Sequence, residues 1–525
     1  MQTTRHLQFC SPTLVKPSFP RQALHSSQGR LRIWLLALPS LLTVAVAWPP
    51  CLMAQQAQVA SAGLPPLPCS ALAVPRINAD VNERLLTTVH GNVHPLARPE
   101  YNRGRVSDSL PMEHVILMLQ RSPEQEKALG VRIDQMYNPH SPYYHQWLRA
   151  EDIGACYGVA DADIGKVTTW LQSHGFTIDT VPAGQMTIIF SGTAGQVRSA
   201  FKTEIHNLDV RGELHIANMS EPEVPAALAP VIAGFRSLNN FFPKPLVHVL
   251  GPVQRDPATG KWRALPTNQY AVEKEPQPTG KGVDPLVTFN YNGLTFWAVG
   301  PQDFYAIYNE TPLLTASTPI NGAGQTLAVV EKSDVDPADV TSFRSQFGLP
   351  AYPSPPNNTQ GGVNFIDGIA NYCSNPGLSD SESEADIDVQ WIGTTAPAAI
   401  IDFVSCADTE TTSGVDLSAS YIVNNLESTV SAFSVSFGEC EAQLGSGASF
   451  YNNLWQQAVA EGQTPIISAG DSGDDRCDRA DNIGLTGLSV NGLASTPYNV
   501  ALKPQDVEPT EWLQLAEKNT GRKLL

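Results

Sequence analysis

The feature that most restricts the fold of this chain is an alternation of apolar and amphipathic segments over residues 301–501. The strand candidates there are GQTLAVVEK, AIIDFVS, SAFSVSFG and TPIISAG, and the helix candidates are DPADVTSFRSQFG, DLSASYIVNNL and SFYNNLWQQAVAEG. Apolar strands that alternate with helices are typical of a parallel sheet covered on both faces. The sequence therefore predicts a doubly wound α/β fold for this region.

Several polar residues stand where these predicted strands end. They are Glu331, Cys406, the run Gly438-Glu439-Cys440, and Asp471. In open parallel sheets, ligands bind in the crevice beyond the carboxyl ends of the strands. We therefore expect a functional site of this region to use some of these side chains.

Residues 80–245 have a different pattern, in which strands, helices and a hairpin follow one another. The candidates are a strand in EHVILMLQ, helices in SPEQEKALGVRIDQMY and DADIGKVTTWLQSHG, a strand in QMTIIFSG, a helix in TAGQVRSAFK, a hairpin of EIHNLDV and ELHIAN, and a helix in PEVPAALAPVIAGFRSLNN. Ser122 suits the N-cap of the first helix, and Arg211-Gly212 suits the hairpin turn. This order predicts a compact α+β domain with an antiparallel sheet.

Two other segments lack the periodicity of a folded domain. Residues 246–300 are rich in Pro, Gly and charge, which predicts an exposed linker that proteases cut easily. The leader at 1–55 contains the apolar stretch Ile33–Trp48, preceded by arginines and followed by small residues, which predicts a signal peptide. A single membrane anchor is the alternative. We expect a secreted protein, extracellular or periplasmic, that no membrane retains after cleavage.

The charge balance argues against one class of partner. The chain has 51 acidic and 33 basic residues and a net charge of −18. A nucleic-acid-binding protein needs a basic face to neutralise phosphates. We therefore expect no nucleic-acid partner.

The eight cysteines form no CxxC or other close spacing, so we expect no zinc or other metal. In an exported protein, the four cysteines of the last third can form two disulfides. Cys440 and Cys477 each follow a predicted core strand and are one candidate pair, which leaves Cys373 with Cys406.

The segment DSESEADIDVQWI, residues 380–392, carries five carboxylates at alternate positions. As a strand it would have one wholly acidic face, which suits no buried strand. As a helix it places Glu384 and Asp388 one turn apart on one face, with Asp388 inside the apolar arc of Val389 and Trp391. One interpretation is an acidic helix start whose carboxylates reach water or an arginine. The other is a coupled dyad that shares a proton, with one pKa raised.

Two observations favour the dyad. The last histidine is His248, so residues 301–501 contain none, and acid–base chemistry there falls to carboxylates unless a second chain supplies a histidine. Asp471 follows a predicted buried strand in a glycine-bracketed turn, which suits a catalytic side chain, although a capped turn explains it as well. Glu382 and Asp386 face the other side of the helix, where we expect solvent.

Together these segments resemble the sedolisins, or serine-carboxyl peptidases, with their activation prodomain. The resemblance spans roughly residues 80–500 and rests on HSPYYHQWL, WLQSHGF, IIFSGTAGQVRSAF, HIANMSEPEVPAAL, GPQDFYAIYN, EADIDVQW, SVSFGECE, SAGDSG and NGLASTPYNVA. It implies an α+β prodomain with a ferredoxin-like antiparallel sheet over 80–245, then a partial peptidase domain with a subtilisin-like doubly wound sheet over 301–501. It also implies protein or peptide substrates, action at acidic pH, and the prodomain as an intramolecular partner.

The resemblance further implies roles for four carboxylates. Glu384 would be the general base for a serine nucleophile, and Asp388 would orient it. Asp471, when protonated, would donate a hydrogen bond to the oxyanion. Glu331 would extend the carboxylate network. Phe437 stands where some members have tryptophan, so the substrate pocket differs there.

The nucleophile of the family lies in a segment of the form GGTSxSxP, and this sequence contains no such segment. After STPYNVA the sequence departs into the divergent tail at 502–525. We expect a peptidase truncated before its nucleophile and inactive or nearly so. We expect no cofactor, since the calcium site of the family belongs to the missing C-terminal part.

Two interpretations from other classes remain. The chain could be a non-catalytic binding or inhibitory protein that retains the prodomain. It could also be a glycan-binding module, for which Tyr291, Phe296 and Trp297 would supply aromatic contacts.

Overall fold

The computed structural model of the protein describes residues 73–245, 299–470 and 489–502, and the backbone of five short strands between Val253 and Ala298. The predicted leader, most of the predicted linker, Asp471, Cys477 and the tail beyond Leu502 lie outside the described residues. Among the described helices, none is both long and apolar enough to cross a membrane.

Residues 73–245 are called the N-terminal module. Its strands are β1 Leu86–Thr88, β2 Asn102–Arg105, β3 Pro111–Leu119, β4 Thr177–Thr180, β5 Thr187–Thr193, β6 Ile205–Val210, β7 Glu213–Asn218, β8 Glu223–Pro225, β9 Ile232–Phe235 and β10 Lys244–Pro245. Its helices are α1 Pro123–Tyr137, α2 Ala150–Tyr157, α3 Asp161–Ser173 and α4 Ala194–Phe201, and Pro99–Tyr101 is a short 3-10 helix.

Residues 299–502 are called the C-terminal module. The strands that precede it are β11 Val253–Arg255, β12 Trp262–Ala264, β13 Gln277–Pro278, β14 Val287–Tyr291 and β15 Leu294–Ala298. Its own strands are β16 Thr326–Glu331, β17 Gly362–Asp367, β18 Ile400–Ser405, β19 Val430–Val435, β20 Phe437–Gly438, β21 Thr464–Ser468 and β22 Val500–Leu502. Its helices are α5 Pro301–Ile307, α6 Thr311–Leu314, α7 Pro337–Gln346, α8 Glu382–Thr395, α9 Gly414–Asn425, α10 Glu441–Leu444 and α11 Gly447–Ala460.

The N-terminal module contains two larger antiparallel sheets, with strand orders β4-β5-β3-β9 and β2-β6-β7. Helix α1 begins at the predicted N-cap, because Ser122 Oγ accepts from Gln125 N and the Gln125 side chain accepts from Ser122 N. Arg211 and Gly212, at φ of 57° and 92°, form the turn of the β6-β7 hairpin. The predicted antiparallel α+β arrangement is confirmed, and its ferredoxin-like detail stays a prediction.

The helix predicted over PEVPAALAPVIAGFRSLNN is wrong. The structure has strands β8 and β9 there, and β9 pairs with the central strand β3. Pro225 and Pro230 lack the backbone N–H that a helix interior needs, so they weaken the helical alternative. Pairing with β3 also satisfies the backbone of β9, which a local pattern could not reveal.

The C-terminal module is built on a six-stranded, all-parallel sheet with the order β17-β18-β16-β19-β21-β22. Alternate residues of its strands point to opposite faces. Val329 and Phe403 pack with residues of α7 and α8, whereas Val330 and Phe433 pack with residues of α9 and α11. The predicted parallel sheet is confirmed, with helices on both faces, and its subtilisin-like detail stays a prediction.

The four-stranded sheet of the N-terminal module is buried on both faces. Val115 and Leu117 of β3 lie in the module's own core, whereas Ile116 and Met118 lie in a core shared with α9 and α11. The continuous apolar run VILML of β3 is the signal that could have predicted this, since a strand buried on both faces loses its alternation. The two modules therefore share a hydrophobic interface.

Neighbouring residues of β5 allow a matched test of the two faces. Ile188 lies in the core of the N-terminal module and Ile189 in the shared core, and both are fully buried. We expect Ile189→Val and Ile188→Val each to lose about 0.5–1.5 kcal/mol, because each removes one buried methylene. Hydrogen exchange should become faster in α11 for Ile189→Val and in α3 for Ile188→Val. The same exchange pattern in both variants would contradict this assignment of faces.

Candidate active site

Glu331 lies at the carboxyl end of β16, a central strand of the parallel sheet. It is in register with Ser405 of β18, and none of its surface is exposed. The predicted strand TLAVVE therefore ends on a buried carboxyl group. Such a position beyond the sheet is the one that the parallel fold favours for a functional side chain.

Helix α8 brings two more carboxylates to the same place. Its residues Ala385 and Val389 pack with the sheet in one apolar cluster, which sets the rotation of the helix. Because residues four apart share a helix face, Glu384 and Asp388 lie one turn apart. Glu384 is buried at 6% exposure, and Asp388 is partly exposed as a residue but has a buried Oδ2 atom. The two residues therefore share one face of α8 next to the sheet, and their role as a proton-sharing dyad stays a prediction.

Asp388 is held from the neighbouring strand by a serine that the sequence did not single out. Ser436 follows β19, and its Oγ donates to Asp388 Oδ1 over 2.9 Å. Ser434, two residues earlier, also contacts this carboxylate. The alternation of serines in SVSFG was the available signal, because residues i and i+2 of a strand share a face.

Two of the three carboxylates, Glu331 and Asp388, favour a bound proton. Burial raises the pKa of Glu331 well above its usual range, and the charges of Asp388 and Glu384 raise it further. Burial also raises the pKa of Asp388 to about 6, although its hydrogen bonds with Ser436 and Glu331 act in the opposite direction. Among the described residues, neither Glu331 nor Asp388 is in a salt bridge. The cluster can therefore hold a proton at weakly acidic pH and still present a carboxylate as a base.

The hydrogen bond from Ser436 has a measurable consequence. Ser436→Ala removes a donor that stabilises ionised Asp388, so we expect the pKa of Asp388 to rise by an amount equivalent to about 1 kcal/mol. Carboxyl ¹³C NMR titration of the chain would measure it. Ser431→Ala, at an exposed position of the same strand, serves as the control. A pKa of Asp388 that is equal in both variants would show that Ser436 does not support this carboxylate.

The other carboxylates of α8 have a different environment. Glu382 and Asp386 are half-exposed and gather with Asp339 of α7, so that one oxygen from each lies within 4.8 Å of the others. Partial burial and the charges of Asp339 and Glu382 raise the pKa of Asp386 to about 6. The prediction that this pair simply faces solvent is thus incomplete. Half-exposed acidic clusters are common without an ion, and we assign no metal to this one.

A short strand of the N-terminal module lies beside this site. Lys244 and Pro245 of β10 pair antiparallel with Gly438 and Phe437 of β20. Because β20 directly follows Ser436, the strand pairing and the carboxylates are neighbours along the chain. An edge segment that accepts one extended strand can accept another of similar shape.

The interface contains a buried group of charges that the sequence did not reveal. Arg236, directly after β9, donates from Nε to Asp416 Oδ1 over 3.1 Å and from Nη2 to Glu439 Oε2 over 2.9 Å. Tyr451 OH accepts from Arg236 Nη2 over 3.1 Å and donates to Asp416 Oδ1 over 2.5 Å. Burial raises the pKa of Glu439 to about 7 against the opposing effect of Arg236. These four residues are called the interface ion cluster.

The cysteines partly follow the expected pairs. Cys373, in the loop that follows β17, and Cys406, directly after β18, form a disulfide with Sγ atoms 2.02 Å apart. Cys440 is also disulfide-bonded, and its predicted partner Cys477 lies outside the described residues. Asp471 lies outside them as well, so its predicted role at the oxyanion stays a prediction.

Comparison with known proteins finds a family similar to the N-terminal module. Residues 101–241 match the family described as "Pro-kumamolisin, activation domain". The chain is homologous to xanthomonalisin of Xanthomonas sp. (strain T-22), with 26% identity over 69% of this chain and 40% of that protein. It is likewise homologous to sedolisin of Pseudomonas sp. (strain 101), with 23% identity over 74% of this chain and 59% of that protein. Kumamolisin of Bacillus sp. (strain MN-32) is 24% identical over 68% of this chain and 57% of its own length.

The chain spans about half the length of these relatives, between 40% and 59%. A solved structure of Pseudomonas sedolisin complexed with two molecules of pseudo-iodotyrostatin aligns with 39% of this chain and 52% of its own. The TM-score is 0.31 at 22% identity, which is too low to define a common fold.

Proposed function

We propose that this chain, which contains a pro-kumamolisin activation domain and is homologous to serine-carboxyl peptidases, is the precursor of an acid-acting endopeptidase. In this proposal Glu384 takes the proton of a serine nucleophile, and Asp388 orients Glu384. Glu331 supplies a proton to the network, and protonated Asp471 donates to the oxyanion. Proteins or peptides are the substrates, and the protein acts outside the cytoplasm.

The observation that carries the proposal is the convergence of three carboxyl groups at one end of the parallel sheet. Glu331 and Glu384 are buried, and Asp388 has a buried oxygen. Burying like charges together is unfavourable, so a fold that needed only stability would place apolar residues there. Glu331 and Asp388 have raised pKa values, and groups of this kind are typical of sites that move protons.

The position of β10 supports a precursor in which the N-terminal module covers the substrate site. A substrate strand would pair with β20, beside the carboxylates. Lys244 and Pro245 already occupy that edge. Cleavage of the predicted linker at 246–300, followed by departure of this strand, would then open the site.

The nucleophile decides the activity of the chain itself. Since the sequence contains no GGTSxSxP segment, we propose that this chain cleaves no protein substrate. Ser472, beside Asp471, lies outside the described residues, and its neighbours in the sequence favour a turn cap rather than a nucleophile. The family calcium site would belong to a longer product of the gene that includes such a segment. If the DNA downstream of codon 501 encodes no GGTSxS segment in any frame, a non-catalytic binding or inhibitory protein becomes the better proposal.

The test uses casein cleavage between pH 3 and 6. The chain is expected to be inactive, and a longer product of the gene that includes GGTSxSxP is expected to be active. In the longer product, Glu384→Gln should lower kcat/KM by about 10⁴-fold, because the general base is lost. Glu382→Gln, on the other face of α8, should keep the activity. Full activity in Glu384→Gln would refute the assigned role.

A further inference from the structure

The last residues of the N-terminal module are held by an unusual aromatic arrangement. The ring of Phe241 stacks on His94, with centroids 3.8 Å apart and planes at 4°. It also stacks on His215, with centroids 3.9 Å apart and planes at 16°. One phenyl ring is therefore in contact with two imidazoles. These three residues are called the histidine clamp.

The histidine clamp lies just before the strand that covers the candidate site. Phe241 precedes β10, the pair Lys244–Pro245, by three residues. That strand pairs with Gly438 and Phe437 of β20. The backbone N–H of Phe241 donates only to the nearby Asn239 side chain, over 3.0 Å. Phe241 also packs against the apolar cluster of Leu208, Val210 and Ala217. The stacking on the two imidazoles and this packing together anchor residues 241–245.

The hydrogen bonding of His94 requires a neutral ring. Its Nδ1 accepts from Leu96 N over 3.2 Å, so this nitrogen carries no proton. Its Nε2 is buried with no hydrogen-bond partner within the described part of the chain, and the residue is only 4% exposed. Protonation would place a hydrogen on Nδ1 against the Leu96 N–H. The imidazolium is therefore incompatible with this packing.

The charged groups around His94 also disfavour its protonated form. The nearby titratable groups are His215 and Arg236, and burial followed by these two lowers the pKa of His94 to about 3. Glu213 contacts His215 at 3.6 Å and Lys244 at 3.8 Å. The carboxylates next to Arg236 are Asp416 and Glu439, which already bind the guanidinium. A second positive charge at His94 would thus meet Arg236 without a carboxylate of its own.

We propose that the histidine clamp is the acid-sensitive latch of the precursor: protonation of His94 frees Phe241 and the strand that follows it from β20. The latch would regulate access to the candidate active site. It rests on the proposed function only in that opening this site would expose a peptidase site. The latch itself is a property of this chain and needs no catalysis.

The interface ion cluster cannot be the trigger, because its response to acid has the opposite sign. The pKa of Glu439 is raised by burial to about 7, so the docked state binds a proton that an exposed glutamate would release. Lowering the pH from 8 toward 5 therefore strengthens docking at this cluster. The histidine clamp has the opposite effect and weakens docking in acid. Because the pKa of the clamped histidine is lowered, the released state binds the proton more strongly and is favoured as the pH falls below about 6.5.

Hydrogen exchange of the intact chain tests the latch. The amides of Phe241, Phe242 and Lys244 and those of residues 437–438 are followed at pH 8 and pH 5, with exchange times scaled for the intrinsic effect of pH. We expect the opening equilibrium to increase about thirtyfold at pH 5, which is the difference expected between a clamped and a free histidine. Exchange in these residues that does not change between the two pH values would overturn the proposal.

Three variants identify the titrating group. His94→Asn keeps an acceptor near the Nδ1 position, and His94→Phe keeps the stacked ring, so each preserves one feature while removing the titration. Both are expected to lose the thirtyfold change, whatever their protection at pH 8. His140→Asn, at an exposed loop position, is expected to keep it. A full pH response in both His94 variants would assign the switch to other groups and overturn the proposal.

A measurement on the unmodified chain covers the case in which the His94 variants do not fold. Imidazole ¹⁵N NMR should find His94 neutral, with the proton on Nε2, for as long as residues 241–244 are protected. Observation of a charged His94 in the protected state would also overturn the proposal. Neither experiment depends on peptidase activity, so a failed latch and a failed catalytic assignment are distinguishable.

Discussion

Replacing Arg236 with methionine is expected to detach the N-terminal module from the C-terminal module at neutral pH. The guanidinium binds Asp416 and Glu439, and its side chain is only 4% exposed. Removal of the cation leaves two buried carboxylates without their partner, which costs about 3–5 kcal/mol. The shared apolar core of Ile116, Met118 and Ile189 remains, but the free energy gained by its burial must then offset the cost of the two unpaired carboxylates.

Hydrogen exchange of α9 and α11 in the intact chain at pH 7.5 measures this detachment. Exchange should become about 10²- to 10⁴-fold faster in Arg236→Met. The control is Arg198→Met: Arg198 lies 2.7 Å from Asp108, but these side chains are 36% and 50% exposed. Such a pair contributes less than about 1 kcal/mol. Equal exchange in the two variants would show that the interface ion cluster does not hold the modules together.

A compensated variant separates the loss of attraction from the exposure of unpaired charge. Arg236→Met combined with Asp416→Asn and Glu439→Gln removes the cation and both anions. Because buried ion pairs can be replaced by neutral groups at little cost, most of the docking should return. Detachment that persists in the triple variant would mean that the shape of Arg236, rather than its charge balance, matters.

Acid is expected to stabilise the C-terminal module, and Asp388→Asn is expected to produce the same effect at alkaline pH. Asp388 has a pKa of about 6 in the folded protein, above its ordinary value, because of burial. At pH 8 the folded state therefore carries a buried charge that costs about 3 kcal/mol. This penalty disappears as the pH falls through 6 toward 4. Asparagine keeps an acceptor for Ser436 and removes the charge.

The melting temperature of the C-terminal module at pH 8 and pH 5 tests this. We expect Asp388→Asn to raise Tm by about 6–12 °C at pH 8 and by about half as much at pH 5, where the carboxyl group is still largely ionised in the unfolded chain. The control is Asp367→Asn, at an exposed position of β17, which should change Tm little at either pH. A lower Tm of Asp388→Asn at pH 8 would show that the Asp388 carboxylate stabilises the fold instead of straining it.

Much of the architecture was predictable because short patterns encode it. The parallel sheet follows from apolar strands such as TLAVVE and IIDFVS alternating with helices, and the cap at Ser122 follows from the residues next to it. The helix predicted after Met219 failed because β9 is stabilised by its pairing with β3, more than a hundred residues earlier in the chain. Local propensity is a weak guide where long-range pairing decides.

The candidate site was also predictable in part. The helical period alone places Glu384 and Asp388 on one face, and the topology of a parallel sheet brings the end of β16 to them. Ser436 was missed, although the alternation in SVSFG was present. The catalytic roles of Glu384, Asp388 and Asp471 stay proposals.

The sequence by itself thus determined most helices and strands and the faces on which their side chains lie. The helical period of 3.6 residues and the alternation of side chains along a strand can both be read from a few neighbouring residues. Only the tertiary structure decided which buried charges meet. Arg236 finds Asp416 and Glu439 across 180 and 203 residues of chain, and Phe241 lies between His94 and His215. Such contacts depend on how whole sheets and helices pack together. The periodicity of the sequence does not indicate which distant residue a buried charge will contact.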